Sequence, residues 1–413
     1  MNNLLRWLPP LDHRVWILIA GRLLSQLGSG FTLFYAPIFF VQQVGLPATL
    51  VGVGIGSGSL AGVLGRILGG TFSDSPRVGR RYTLLLSAAV SALADLFLAL
   101  THDFSTFLMG NLLMGFGIGL YWPATEATVA DLTTLDERNE AFALTRLADS
   151  LGLGLGVVLG GALIAATGAY RALFVIDGIS FLIFFGIVYG AIAETRNPAT
   201  PSHRVLQGWA LALGDRTLLI YVTVNILMTT YLAHVNSTLP LYFSKFVPLA
   251  NATGFSSSAL SLLFSWHVVL AALTQLPVAR ALKGYRRTQL LMLSSLLWGV
   301  SFVLVWVTGV APMGHLVWAV AALGMMAIAT VVYMPAASAL VVDFAPESLR
   351  GVYLSINSLC WAVGYFVGPV VGGWTMDQSS AIAHRSWLGW AASVLISLVI
   401  LRHLDRRLSR TSI

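Results

Sequence analysis

Long apolar runs separated by short polar breaks dominate this chain. They fall near 15–41, 47–72, 82–101, 105–130, 141–168 and 172–193. A second set falls near 217–243, 257–281, 288–310, 315–342, 351–376 and 387–402. At 1.5 Å of rise per residue, about 20 apolar residues cross the hydrocarbon core of a bilayer. A helix also pairs its own backbone N–H and C=O groups, as lipid demands. The pattern predicts an all-α integral membrane protein of twelve transmembrane helices in two pseudo-symmetric six-helix halves.

The longest polar break between spans runs from about Glu194 to Arg216 and contains Pro198, Pro201, His203 and Arg204. It divides the chain into an N-terminal half over 1–195, a linker over 196–213 and a C-terminal half over 214–413. Within the linker, Leu206–Leu213 reads as a short amphipathic helix on the membrane surface. The halves are repeats. Tyr121, Pro123, Ala124, Ala127, Val129, Asp131, Arg138, Gly152, Gly156, Gly160 and Gly161 each recur 212 positions later without a gap. Their matches are Tyr333, Pro335, Ala336, Ala339, Val341, Asp343, Arg350, Gly364, Gly368, Gly372 and Gly373. Internal repeats of this kind underlie many secondary transporters, whose halves rock about a midplane site.

Composition supports the membrane reading. Of 413 residues, 57% are hydrophobic and 10% charged, against about 45–50% and 25% in soluble domains. The net charge of +7 would suit a nucleic-acid surface, but its placement does not. Arg77, Arg80 and Arg81, then Lys283, Arg286 and Arg287, then Arg402, Arg406, Arg407 and Arg410 sit in breaks or at span ends. With twelve spans, nearly all Lys and Arg fall on the side of the termini; Arg171, Lys245 and Arg385 are the exceptions. The positive-inside rule then makes that side cytoplasmic. Cys360 is the single cysteine, which excludes an internal disulfide and a thiolate metal cluster. The first span lacks the form of a cleavable signal.

Enzyme chemistry finds little footing. The two lysines, Lys245 and Lys283, lie outside any phosphate-cradling loop. The glycines at 52, 54, 56 and 58 fall inside a span and read as helix packing. No histidine pair has metal-ligand spacing on one helix face. The expectation is a non-enzyme with no cofactor, no metal and no nucleic-acid partner, working as a monomer among lipids on a small-molecule substrate and protons.

Ionisable residues inside spans are costly unless paired or facing a cavity. Those singled out are Arg22, Asp95, Glu126, Arg146, Asp149 and Asp177. Glu126, Arg146 and Asp149 lie within the repeat, yet their counterparts are Ser338, Ser358 and Trp361. The shared fold therefore does not require them. Arg22 and Asp149 lie at matched depths, about 12 Å into their spans, and Glu126 and Arg146 at about 7 Å. Two ion pairs follow geometrically, Arg22–Asp149 and Glu126–Arg146, with a role in proton coupling, in substrate binding or in structure alone. Arg146–Asp149 at i, i+3 is a further structural pairing. Asp95 and Asp177, toward the outer third, read as packing or interface residues. Gln26, Asn111, Tyr121, Trp122, Asn225, His234, Tyr333, Asn357 and Trp361 are candidate cavity residues, with His267 beside them. Aromatics with few formal charges suit an apolar or weakly cationic molecule.

The loop after span 2 reads Gly70-Thr71-Phe72-Ser73-Asp74-Ser75-Pro76-Arg77-Val78-Gly79-Arg80-Arg81. It resembles the signature loop of the major facilitator superfamily, with two additional residues between Asp74 and Gly79. A worn copy, Pro277 to Arg287, carries Ala281 in place of the acid. The resemblance implies the twelve-helix major facilitator fold, with a central cavity opened alternately to each side. It makes Gly70, Asp74, Gly79, Arg80 and Arg81 part of a conformational latch, with Asp131 as an ionic partner. Span 11 carries Gly364, Gly368, Pro369, Gly372 and Gly373, similar to the family's antiporter motif; family exporters carry it in span 5, where this chain has Val157 instead of proline. Near the start of span 4, where drug exporters often have an arginine, this chain offers Asn111. The function implied is proton-coupled export of small apolar or amphipathic molecules across the plasma membrane, a bacterial inner membrane. Alternatives are a metabolite facilitator or symporter, a lysolipid flippase, or a non-transporting receptor on the same scaffold.

Overall fold

The computed structural model describes residues 11–75, 77–195, 206–249, 252–282, 284–345 and 350–411, with some side chains within helices, including those of Asp74 and Arg146, outside the described set. Among the described residues, twelve helices are long and apolar enough to cross a membrane. Cα proximity divides the chain into two units, one of Met1–Phe39 with Ser57–Pro201 and one of Phe40–Gly56 with Ser202–Ile413.

Unit one is built from α1 (His13–Leu33), the part of α3 (Ala48–Asp74) from Ser57 onward, α4 (Gly79–Ala99), α5 (Phe104–Asp131), α6 (Leu135–Thr167) and α7 (Tyr170–Ala191). The break after α1 at Phe34–Tyr35 leads into α2 (Ala36–Gln42), so the first expected run is two helices rather than one. Asp12 caps α1 by accepting the Arg14 backbone N–H at 2.8 Å. The Arg14 guanidinium and that N–H hold the Asp12 carboxyl down at about 2. α1, α4 and α7 pack together around Val15, Leu18, Leu84, Ala88, Phe184 and Val188.

Unit two holds α8 (Leu206–Gly214), α9 (Arg216–Asn236), α10 (Thr238–Lys245), α11 (Ser257–Ala281), α12 (Arg287–Val310), α13 (His315–Phe344), α14 (Arg350–Met376) and α15 (Ser380–Thr411). α8 is the helix expected in the linker; residues 196–205 of that linker lie outside the described residues. The expected run 217–243 is again broken, into α9 and α10. A two-residue hairpin follows, β1 (Pro248–Leu249) against β2 (Ala252–Thr253). The core here is aromatic: Tyr231, Trp298, Phe302 and Trp387 are buried and in ring contact. Unit two also includes the first turns of α3. There Asp377 accepts the Ala48 and Thr49 backbone N–H groups, each at 2.7 Å, and so caps the helix.

The repeat is visible in helix starts as well as in sequence. Asp215 caps α9 through the Thr217 N–H at 2.7 Å, as Asp12 caps α1. Pro123 lies inside α5 and Pro335 inside α13.

Candidate functional site

In unit one the Arg22 guanidinium and the Asp149 carboxylate meet fork to fork, with Nη2 donating to Oδ2 at 2.6 Å and Nε to Oδ1. α1 supplies the arginine and α6 the acid, and these two helices pack closely along their length. Arg22 is 2% exposed. Its charge lies over the Trp122 ring, 4.3 Å from the centroid, and over Tyr121 at 5.3 Å. Arg22 Nη1 also donates to the Tyr121 hydroxyl at 3.5 Å. A guanidinium so placed has a counter-charge and two π faces, which together offset its desolvation.

Unit two has a neutral counterpart. Counted from the capping aspartates, Asn225 on α9 stands where Arg22 stands on α1, and Tyr333 is the repeat partner of Tyr121. The Tyr333 hydroxyl donates to Asn225 Oδ1 at 2.6 Å. Asn225 Nδ2 donates to Asn357 Oδ1 at 2.9 Å, and the Tyr221 hydroxyl donates to the same oxygen at 2.6 Å. Trp361, the counterpart of Asp149, stacks on Tyr365 at 5.8 Å and leans on Tyr333 at 6.1 Å.

The basic turn between α3 and α4 has its own scaffold. Gly79 takes a φ of +73°, which favours glycine. Immediately after it, Glu194 accepts the backbone N–H groups of Arg80 at 3.0 Å and Arg81 at 3.1 Å. The acid thus caps the positive end of α4. Arg80 Nη1 donates to the Ala127 carbonyl at 2.8 Å and pairs with Asp131 at the end of α5. Arg81 donates to the Tyr189 carbonyl at 2.7 Å. In unit two Arg287 and Asp343 repeat the Arg80–Asp131 pair at 3.8 Å. Side-chain exposures of 44% and 59%, against 14% and 25% for Arg80 and Asp131, leave that copy weakly coupled.

The comparisons with known proteins agree with this architecture. The family model described as Major Facilitator Superfamily matches residues 18–247 and 246–412. The chain belongs to the Major Facilitator Superfamily. Multidrug resistance protein MdtH of Photorhabdus laumondii is similar, 26% identical over 406 residues, covering 96% of this chain and 95% of its own. The Na(+), Li(+), K(+)/H(+) antiporter of Planococcus maritimus is 22% identical over 406 residues, covering 89% and 88%. Among solved structures, the nucleoside transporter NupG superposes with a TM-score of 0.80 at 15% identity, covering 95% of this chain and 99% of that one. The chain is therefore a multi-pass membrane transporter and not an enzyme.

Within this transporter the remaining candidates fall into distinct places. Gly364, Gly368 and Gly372 of α14 press against Thr229, Ala233 and Thr238 of α9 and α10, and Gly373 against Ala48. Pro369 lies within α14, its backbone beside Gly52. These residues form a helix seam. Gly152, Gly156 and Gly160 form the equivalent seam of α6 on α1, the first of them against the Gln26 β-carbon. Asn111 donates its amide to the Phe107 carbonyl of its own helix at 2.9 Å.

His234 lies in the last turn of α9. It is fully buried within unit two, its Nδ1 2.9 Å from the Thr238 hydroxyl and its ring 4.4 Å from that of Trp390. Its Nε2 is buried without a hydrogen-bond partner. His267 is similarly buried, with Nδ1 3.0 Å from the Leu323 carbonyl. Glu126 lies exposed on α5, within electrostatic reach of Arg66 on α3. The Glu126–Arg146 pairing and the contacts of Asp74 lie outside the described side chains.

Two residues important to this geometry were missed in reading the sequence. Arg66 is an intramembrane cation whose signal, a charge inside span 2, was present. Glu194 stood in the linker break, and only the fold brings it to the start of α4.

Gly79 and Gly70 permit a direct test of the turn. Gly79→Ala should cost about 1–2 kcal/mol or more, from a left-handed φ imposed on a β-carbon and from that carbon's overlap with the Glu194 carboxylate. Gly70, with nothing within 4 Å of an added β-carbon, should tolerate alanine within about 0.5 kcal/mol. Thermal unfolding in detergent compares the two. Equal losses would show that the turn geometry is not what stabilises this end of α4.

Proposed function

We propose that this transporter is a proton-coupled exporter of small apolar or amphipathic molecules, working by alternating access in a bacterial inner membrane. The observation that carries the reading is the pair of buried Arg22 with half-buried Asp149, set over the Tyr121 and Trp122 rings. As an ion pair the centre is neutral. A proton taken up by Asp149 would release Arg22 toward the aromatic faces, and its loss would restore the pair. Alternate protonation and pairing give two states of one site, which coupling requires. The names of similar bacterial proteins, a multidrug resistance protein and a cation/proton antiporter, support the direction and the ion.

The proposed substrate contacts are Gln26, Tyr121 and Trp122 in unit one, and Asn225, Tyr333, Asn357 and Trp361 in unit two. Asp74, Arg80, Arg81 and Asp131 are the proposed latch, with Glu194 positioning Arg80. Both termini are assigned to the cytoplasm on the distribution of Lys and Arg.

A flux assay in proteoliposomes with an imposed pH gradient and a panel of apolar and amphipathic substrates tests the proposal. Gradient-dependent uphill movement of a panel member is the expected result. Downhill movement alone, indifferent to the gradient, would make the protein a facilitator. Topology has a separate test. Reporters after Ile413 and within 196–205 should both read cytoplasmic, and one near Ala250 external. The opposite pattern at the linker and Ala250 would invert the assignment.

A further inference from the structure

A second pair of acids lies in unit one, away from Arg22 and Asp149. Asp95 comes from α4 and Asp177 from α7, helices that pack along one another, and each residue is 1% exposed. Asp177 has partners. The Thr32 hydroxyl lies 3.3 Å from Oδ2 and the Ser180 hydroxyl 3.4 Å from Oδ1. Gly28 of α1 presses on the same carboxyl; a β-carbon there would lie 2.5 Å from the Ser180 hydroxyl and overlap Asp177 Oδ1. Asp95 has none. Both of its carboxyl oxygens are buried and unbonded. Gly178 brings α7 so near that a β-carbon on it would lie 3.2 Å from the Asp95 β-carbon and 4.0 Å from Oδ2. The two acids are within electrostatic reach of one another.

No cation answers them among the described residues of the elements packed here. On α7 the nearest is Arg171, six residues and about 9 Å along the axis from Asp177. Its guanidinium donates to the Ala99 carbonyl and to the Thr101 carbonyl at 2.9 Å. On α1 it is Arg22, six residues before Gly28 and held by Asp149. The stretch of α5 facing this part of α4, 110–117, has no titratable residue. On α4 itself, Arg80 and Arg81 lie at the far end, held by Ala127, Asp131 and Tyr189. The hydroxyl of Tyr35 donates to the Val157 carbonyl at 3.2 Å, and Tyr170 stacks on Phe39. A buried carboxylate with neither a cation nor a donor is neutralised by a proton. Asp177 adjoins Gly178, the residue that faces Asp95.

We infer that Asp95, with Asp177 on the facing helix, forms a site that binds an exchangeable proton, separate from the Arg22–Asp149 centre. The step is binding alone: a proton enters from water, one carboxyl O–H forms, and the same bond breaks on release.

Infrared difference spectroscopy of the full-length protein in lipid, titrated with pH and repeated in deuterium oxide, tests the site. The expected wild-type spectrum has a carboxylic C=O band that shifts on deuteration and disappears reversibly at alkaline pH. Asp95→Asn and Asp177→Asn should each move or remove the band, and their combination should abolish it. Asp149→Asn should leave it in place, so this inference can fail while the proposed coupling role of Asp149 stands, or the reverse. Should the asparagine variants not fold, Asp95→Glu and Asp177→Glu, which keep the carboxyl, should each shift the band, and a band unmoved in both would overturn the site. A band that resists both deuteration and alkali would overturn the site, as would the absence of any such band. Loss of the band on adding sodium or potassium at constant pH would also overturn it, in favour of a metal-cation site.

Discussion

Asp149→Asn should reduce uphill, pH-driven transport to the level of empty liposomes while sparing downhill exchange. Asparagine keeps the shape of the carboxylate and can still accept from Arg22, but it takes up no proton. It also leaves Arg22, 2% exposed, without a counter-charge, and breaking a buried pair in this way costs about 3–5 kcal/mol. A fall in Tm is therefore expected alongside the loss of coupling. The two effects can be separated. Arg22→Gln with Asp149→Asn removes both charges, so it should recover much of the stability without recovering uphill transport. Glu126→Gln, at an exposed position on α5, is the companion control and should retain gradient-driven accumulation. Full accumulation by Asp149→Asn would remove this acid from the coupling mechanism. Loss in Glu126→Gln alone would move the proton to α5.

The second large effect is mechanical. Gly156→Val should prevent accumulation of folded protein, whereas Gly186→Val should be tolerated. At Gly156 the backbones of α6 and α1 approach so closely that a β-carbon would lie 2.8 Å from the Gly30 α-carbon and overlap the Leu27 carbonyl. Backbone atoms cannot turn aside as a side-chain tip can. Forcing extra carbons into such a seam costs about 1–3 kcal/mol or more, and here the separation would also pull Arg22 from Asp149. Gly186, on α7, has nothing within 4 Å of the same added atom. Fluorescence-detected size-exclusion profiles compare the two variants, and a normal monodisperse Gly156→Val peak would contradict the close packing.

Much of this architecture was legible because lipid imposes strict terms on a sequence. Every spanning helix must be long, apolar and internally hydrogen-bonded, so its presence shows as a run of fixed length. Breaks within a run were harder to see. Phe34–Tyr35 and Ser237 interrupt helices at residues no less apolar or ordinary than their neighbours. The repeat was readable in glycines and prolines, whose positions are set by backbone approach and bending rather than by side-chain chemistry.

At the site, legibility followed depth. Arg22 and Asp149 could be matched because residues at equal distance from one membrane face can meet, whatever their separation in sequence. Glu194 gave no such signal, since capping α4 depends on where the chain turns after α7. Asp95 and Asp177 were visible as charges, but that one has hydroxyl partners and the other none is a tertiary fact. His234 shows how depth alone leaves direction open. A polar residue in a span that often lines cavities can equally face its own half, and Trp387 and Trp390 on α15 enclose it.

The contrast between the charged centre of unit one and the amide–phenol network of unit two has an electrical consequence. While Arg22 and Asp149 are paired, their site carries no net charge, and the membrane potential exerts no net force on it. Protonating Asp149 would leave the guanidinium unbalanced. A full elementary charge crossing the entire field is worth about 2.3 kcal/mol per 100 mV, and a partial crossing proportionately less. Asn225, Asn357, Tyr221 and Tyr333 offer the field only dipoles. Voltage would then bias the protonated state through the charged centre of unit one and not through the amide–phenol network of unit two.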